Sequence, residues 1–251
     1  MRLAATSLLV LLLGLAVARA GQYWDWQLSD PYNLNVDTKI LVIELDDLSR
    51  QDVAGLKARG VMPICYISVG TWEKARPDAR AFPKQVIGRR LDNWPNEKYL
   101  DIRRLDVIVP FMQARFKACA DKGFVGVEPD NIDGFDNDSG FDLTRQDAVT
   151  YVLALREVAS GLGLKLGQKN APELVPDLVK SLDFMLVEEC LEYDFCEDLL
   201  PYRKAGKDVL SVEFIGSGQN WSAVCQKARK LGFRVLIKDK DVHAGGQVCP
   251  N

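Results

Sequence analysis

The segment Phe124–Asp138, FVGVEPDNIDGFDND, opens as an apolar strand and then places Glu128, Asp130, Asp133, Asp136 and Asp138 within eleven positions. Like charges repel, and a carboxylate taken out of water is costly. Acids crowded at the end of a buried strand therefore need a reason, and three compete: a metal site, an acid/base site, or a solvated acidic turn. The run lacks the Asp-x-Asp-x-Asp-Gly register and the twelfth-position glutamate of an EF-hand loop, which argues against calcium. In an extended backbone Gly126, Glu128 and Asp130 share one face, and Val125 and Val127 the other. Valine suits a helix-covered side, so both acids are expected to point inward. Each then raises the pKa of the other, which prepares one of them to hold a proton. Asp130, at the strand end, is the candidate for chemistry; Glu128, one layer deeper, is its support. Asp133, Asp136 and Asp138 carry the weaker signal of a turn-rich loop.

Positioning such groups requires a frame. Residues 22–28 alternate and are rich in aromatics, and short apolar runs occur at residues 39–45, 61–68, 124–129, 164–170, 183–189, 208–214 and 233–239. They read as buried parallel strands. Helical patterns separate most of them; RQDVAGLKARG ends at Gly60, DVIVPFMQARFKACADKG ends at Gly123, and Thr144 with Asp147 makes a near capping box. Eight strand–helix units predict an α/β fold, a single (β/α)8 TIM-type barrel, with a doubly wound open sheet as the alternative. No GxGxxG or GxxxxGKS follows any strand, which weakens nucleotide-binding versions. Polar groups recur at the same end of the strands: Asp46 and Asp47, Glu73, Asp130 and Asn131, Lys169 and Asn170, Glu188 and Glu189, Glu213. That is the end where barrel enzymes do chemistry. Residues 69–103 form one long connection after the third strand, and loops of that size are usually functional.

Residues 1–20 combine a basic start, an apolar run and Ala18-Arg19-Ala20, which predicts a secretory signal peptide rather than a membrane anchor. The mature domain is then 21–251, exported, free of the membrane and expected to be a monomer. A net charge of -3 without a basic run argues against nucleic acid as a partner. Six cysteines, an even number in an exported chain, predict disulfides. Cys190 and Cys196 close a tight loop; Cys65–Cys119 and Cys225–Cys249 are then the least entangled remainder. With a single histidine, His243, and no paired CxxC, zinc is not expected. Trp24, Trp26, Trp72, Trp94 and Trp221 add rings that stack on sugars, and paired carboxylates can cleave a glycosidic bond.

Assembled, the pieces WDWQLSD, ICYISVGTWEKARPDA, NWPNEKYLDIR, GFVGVEPDNIDGF, GLKLGQKN and VEECLEYDFC resemble glycoside hydrolase family 114, the endo-α-1,4-polygalactosaminidases, with related spherulin-4-like proteins. The resemblance implies a (β/α)8 fold, no cofactor or metal, and cleavage of α-1,4-linked galactosamine polymers. It places the two catalytic carboxylates on Asp130 and Glu188, and it selects Glu188 over Glu189 where strand periodicity does not. The family's asparagine and glutamine around that glutamate are Val187 and Glu189 here. A galactosamine polymer is cationic near neutral pH, which suits an acidic cleft. Substrate contacts are expected from Trp26, Asp47, Tyr66, Glu73, Asn131, Asp133, Lys169, Asn170 and Glu213. The alternatives are a carbohydrate-binding or structural secreted protein on a barrel without catalysis, or a glycosidase for another amino sugar polymer.

Overall fold

The computed structural model describes residues 22–249 apart from 215, 217 and 219. The expected signal peptide lies outside the described residues. All eight expected strands form: β1 (Trp24–Gln27), β2 (Ile40–Glu44), β3 (Met62–Ser68), then, after an insertion holding β4 (Thr71–Glu73), β5 (Ile87–Leu91) and β6 (Trp94–Leu100), β7 (Gly126–Asp130), β8 (Lys165–Lys169), β9 (Phe184–Glu188), β10 (Val209–Phe214) and β11 (Arg234–Lys238). The short β12 (Gln247–Val248) runs antiparallel to β11. The sheet order is β1-β2-β3-β7-β8-β9-β10-β11-β12, with the eight main strands parallel, curled into the TIM-type barrel.

Two apolar sets hold it. Trp24, Ile40, Val42, Ile64, Leu186, Leu210, Val212 and Leu236 fill the inside of the barrel. The alternate residues, such as Leu41, Ile43, Cys65, Val127, Met185 and Val187, pack outward under the helices. The main helices are α1 (Arg50–Ala58), α2 (Leu105–Lys122), α3 (Arg145–Gly161) and, on the far side, α4 (Val175–Leu178), α5 (Leu200–Lys204) and α6 (Trp221–Leu231). Capping boxes start α1 (Ser49 with Asp52) and α3 (Thr144 with Asp147). Among the described residues β1 and β11 are followed by no helix, so six of the eight expected helices are present.

The barrel is closed at the β1–β11 seam by side chains. Trp24 Nε1 donates to the Arg234 carbonyl at 2.8 Å, and Lys238 Nζ meets Asp25 Oδ1 at 3.0 Å, both residues 1% exposed. The three expected disulfides form, Cys65–Cys119, Cys190–Cys196 and Cys225–Cys249. The connection 69–103 is not an irregular loop: β4, β6 and β5 make a second, antiparallel sheet. Its strands are short and charged, so no apolar period betrays them in the sequence. No helix among the described residues is long and apolar enough to cross a membrane.

Candidate active site

Strand alternation decides what reaches the mouth of the barrel. On β2 the inward series Ile40, Val42 ends at Glu44; on β7 Gly126, Glu128 ends at Asp130; on β8 Gly167 leads to Lys169; on β9 Phe184 and Leu186 lead to Glu188; on β10 Leu210 and Val212 lead to Phe214. These last residues line a cleft of about 410 Å³. Register reinforces the assembly, because Ser68 of β3 lies opposite Asp130 and Tyr66 opposite Glu128.

Lys169 is the hub. It is 2% exposed, and its ammonium lies 3.0 Å from Asp130 Oδ1, 2.8 Å from Glu188 Oε1 and 3.3 Å from Glu128 Oε1. The same ammonium sits 4.9 Å from the centre of the Trp26 ring. Burial alone would drive its proton off, but the charges of Asp130 and Glu188 overcome this and hold its pKa well above the ordinary lysine value. Burial likewise pushes the Asp130 carboxyl up. The Lys169 charge and hydrogen bonds from Tyr66 Oη (2.7 Å) and the Asn131 N–H (2.9 Å) outweigh it, leaving Asp130 below the usual carboxylate range. Glu128 goes the other way. It is fully buried, its Oε2 accepts from Trp26 Nε1 at 3.0 Å, and its Oε1 has no hydrogen bond. Burial pushes its pKa to about 8, so it carries a proton at neutral pH. The mutual raising expected for two inward acids therefore falls on Glu128 and not on Asp130.

The strand ends are bent to aim these groups. Asn131, Asn170 and Glu189 all have positive φ, at 61°, 48° and 54°. Strain of this kind gathers at functional sites. Asn170 Oδ1 accepts from the Glu188 N–H at 2.9 Å, and Asn170 Nδ2 lies 3.4 Å from Glu188 Oε1. Asn131 Nδ2 donates to Ser68 Oγ at 2.9 Å, and its carbonyl crosses so close to Gly70 that a Cβ there would sit 1.6 Å from the oxygen. Only glycine permits that approach.

Of the residues expected to contact substrate, Trp26, Tyr66, Glu73, Asn131, Asp133, Lys169 and Asn170 line the cleft with Asp130 and Glu188. Two do not. Asp47 is exposed beyond the end of β2 and accepts from Tyr32 Oη at 2.5 Å. Glu213 follows the inward Val212, so it faces the helix layer, fully buried, and accepts from the Leu191 N–H at 3.0 Å. Glu73 reaches the cleft already engaged by Arg76 at 2.7 Å, which also grips both oxygens of Glu44. Asp136 and Asp138 are exposed. Burial, with Asp130 nearby, raises the Asp133 pKa.

Sequence reasoning missed Glu44, Glu97, Lys240 and Asp241 in the cleft lining. Period-two alternation from Ile40 and Val42 would have found Glu44. Glu97 comes from the inserted sheet, where Thr71 donates to it at 2.7 Å, and no pattern announced it. Burial pushes both Glu44 and Glu97 to about 7. The cleft is therefore rich in acids, with Lys169 and Lys240 as the lysines of its wall.

The model of glycoside-hydrolase family GH114 matches residues 14–251. The fold is similar to that of Ega3 from Aspergillus fumigatus, solved in complex with galactosamine: 33% identity, 91% of this chain and 95% of that chain covered, TM-score 0.84. It is also similar to the glycoside hydrolase domain of PelA from Pseudomonas aeruginosa, at 18% identity, 90% and 98% coverage and a TM-score of 0.69, a likeness of fold. No curated relative matches the chain.

Proposed function

The chain belongs to glycoside-hydrolase family GH114, and from that premise we propose that it is a secreted endo-acting hydrolase of α-1,4-linked galactosamine polymers, working through Asp130 and Glu188. The observation that carries the reading is the clamp of both carboxylates on one buried ammonium at the floor of an acidic cleft. A cationic polymer is drawn to such a cleft. Galactosamine bound by Ega3 supports the substrate class, and three disulfides suit an exported protein.

The roles divide by environment. Asp130, held ionised by Lys169, Tyr66 and the Asn131 N–H, is the anion that attacks or stabilises the anomeric carbon. Glu188 is the more exposed of the two, its side chain 29% accessible against 18%, and so is the one open to the leaving oxygen and to incoming water. It donates to the leaving oxygen and later takes a proton from the attacking water. Asp130 Oδ1 and Glu188 Oε1 both touch Lys169, at 3.0 and 2.8 Å, so they lie no farther apart than those lengths laid end to end, about 5.8 Å. Retaining enzymes place their carboxyls roughly 5–5.5 Å apart and inverting ones roughly 6.5–9.5 Å, so the spacing favours retention.

The test is product analysis on a defined α-1,4-galactosamine oligomer, with Asp130→Asn and Glu188→Gln as variants. Wild type should release shorter oligomers with the α anomer formed first, and both variants should fold and lose hydrolysis. Turnover retained by either variant refutes the assignment. Retention of the oligomer by wild type without fragments would make the protein a binding module.

A further inference from the structure

We propose that the β5–β6 hairpin is an arm carrying an outlying sugar subsite, with Trp94 as its stacking platform; the inference rests on the glycosidase reading of the cleft. Trp94 is 61% exposed. Trp24 and Trp26 are buried, and Trp24, Trp26 and Trp72 each tie their indole N–H to a protein acceptor. Among the described residues the Trp94 indole has no hydrogen bond or ring contact of its own. A lone exposed apolar side chain means little by itself. Its place gives it meaning, because Trp94 and its strand partner Leu91 both border the cleft that holds Asp130 and Glu188.

The arm is built to hold that ring in one position. Arg90 pairs with Lys98, yet the next residue, Leu91, pairs with Trp94, so β6 carries a bulge of three extra residues, Pro95, Asn96 and Glu97. Bulges re-aim side chains. Here the bulge lets Trp94 and Glu97 face the same cleft although they are three positions apart. Asn93, with φ 64°, makes the turn before Trp94. The base of the arm is fixed by pairing of Thr71 with Tyr99 and by the Thr71–Glu97 hydrogen bond. The strand runs from Tyr99 at the base of the arm to Trp94 beside its turn, which sets the ring at the far end of the arm from the barrel. A wide, stiff, two-torsion ring suits the apolar C–H face of a pyranose, and Glu97 supplies an anion for the 2-ammonium of a galactosamine unit.

The experiment compares wild type, Trp94→Ala and Trp94→Phe on galactosamine oligomers from the shortest one cleaved to long chains, with thermal melts to confirm folding. Trp94→Ala should lower kcat/KM on long chains by roughly tenfold, through KM, in keeping with the worth of one stacked ring. The loss should shrink to about twofold or less on the shortest oligomer, and Trp94→Phe should recover most of it. Equal losses on short and long chains, or no loss on either, overturns the subsite while leaving the hydrolase reading intact. A wild type that cleaves no galactosamine oligomer overturns both.

Discussion

Replacing Glu128 with glutamine should remove a penalty that grows with pH. Glu128 is fully buried, and its pKa stands at about 8 against 4.5 for the free side chain. Below pH 4.5 the carboxyl is protonated whether the chain is folded or not, and contributes no pH dependence. Between pH 4.5 and 8 the unfolded chain has released the proton and the native protein retains it. The native state then binds more protons, so stability falls as pH rises. At about 1.4 kcal/mol per unit the loss is roughly 1 kcal/mol at pH 5, roughly 3 at pH 7 and nearly 5 above pH 8. Glutamine never ionises, so it escapes the loss. Its amide places a donor near Lys169, a cost that does not vary with pH, so the readout is the change in the gap between proteins. Urea unfolding of the disulfide-intact proteins at pH 5 and pH 8.5 measures it. The gap should move in favour of Glu128→Gln by roughly 4 kcal/mol between the two. A gap that moves by less than about 1 kcal/mol, or in the opposite direction, refutes a protonated Glu128 in the folded protein.

Three further outcomes follow from the cleft. Tyr66→Phe removes one hydrogen bond from an ionised carboxylate and should raise the Asp130 pKa; the acidic limb of the pH–rate profile, where activity disappears as pH falls, should move up with it. Gly70→Ala puts a Cβ into the Asn131 carbonyl and must displace the residue beside Asp130, so kcat should fall by roughly a hundredfold or more. Glu97, with its pKa at about 7, gains charge as pH rises through neutrality; calorimetric binding of a galactosamine oligomer to Glu188→Gln should be weakened by a further Glu97→Gln change more at pH 8 than at pH 6. An equal weakening at both would show that Glu97 does not titrate in that range.

Most of the eight strands were legible as short apolar runs, as strands buried on both faces tend to be, and Trp24–Gln27 by its aromatic alternation. The acids at their ends were legible for the same reason, since charges stand out where apolar runs stop. What alternation could not do was fix the phase of a strand that is apolar on both faces. DFMLVEEC offers no contrast between Glu188 and Glu189, and only the inward placement of Phe184 and Leu186 settles it. The same ambiguity put Glu213 in the cleft when Val212 and Phe214 take the inward positions. Lys169 was legible as a strand-end cation but not as the common partner of three carboxylates, because that contact joins strands remote in sequence. The inserted sheet was hidden because the apolar residues it packs inward, Trp72, Ile87, Tyr99 and Leu100, stand among charged neighbours without a regular period.

The Asp25–Lys238 ion pair joins the first barrel strand to the last, 213 positions apart. A chain synthesised amino end first therefore presents Asp25 early, with its counter-ion still to come. Until residue 238 emerges, that carboxylate must stay hydrated and the first strand stays an open edge, available to whatever strand meets it. The last barrel strand is thus the latch of the fold: until it arrives the amino-terminal edge stays open and the Asp25–Lys238 pair cannot be buried.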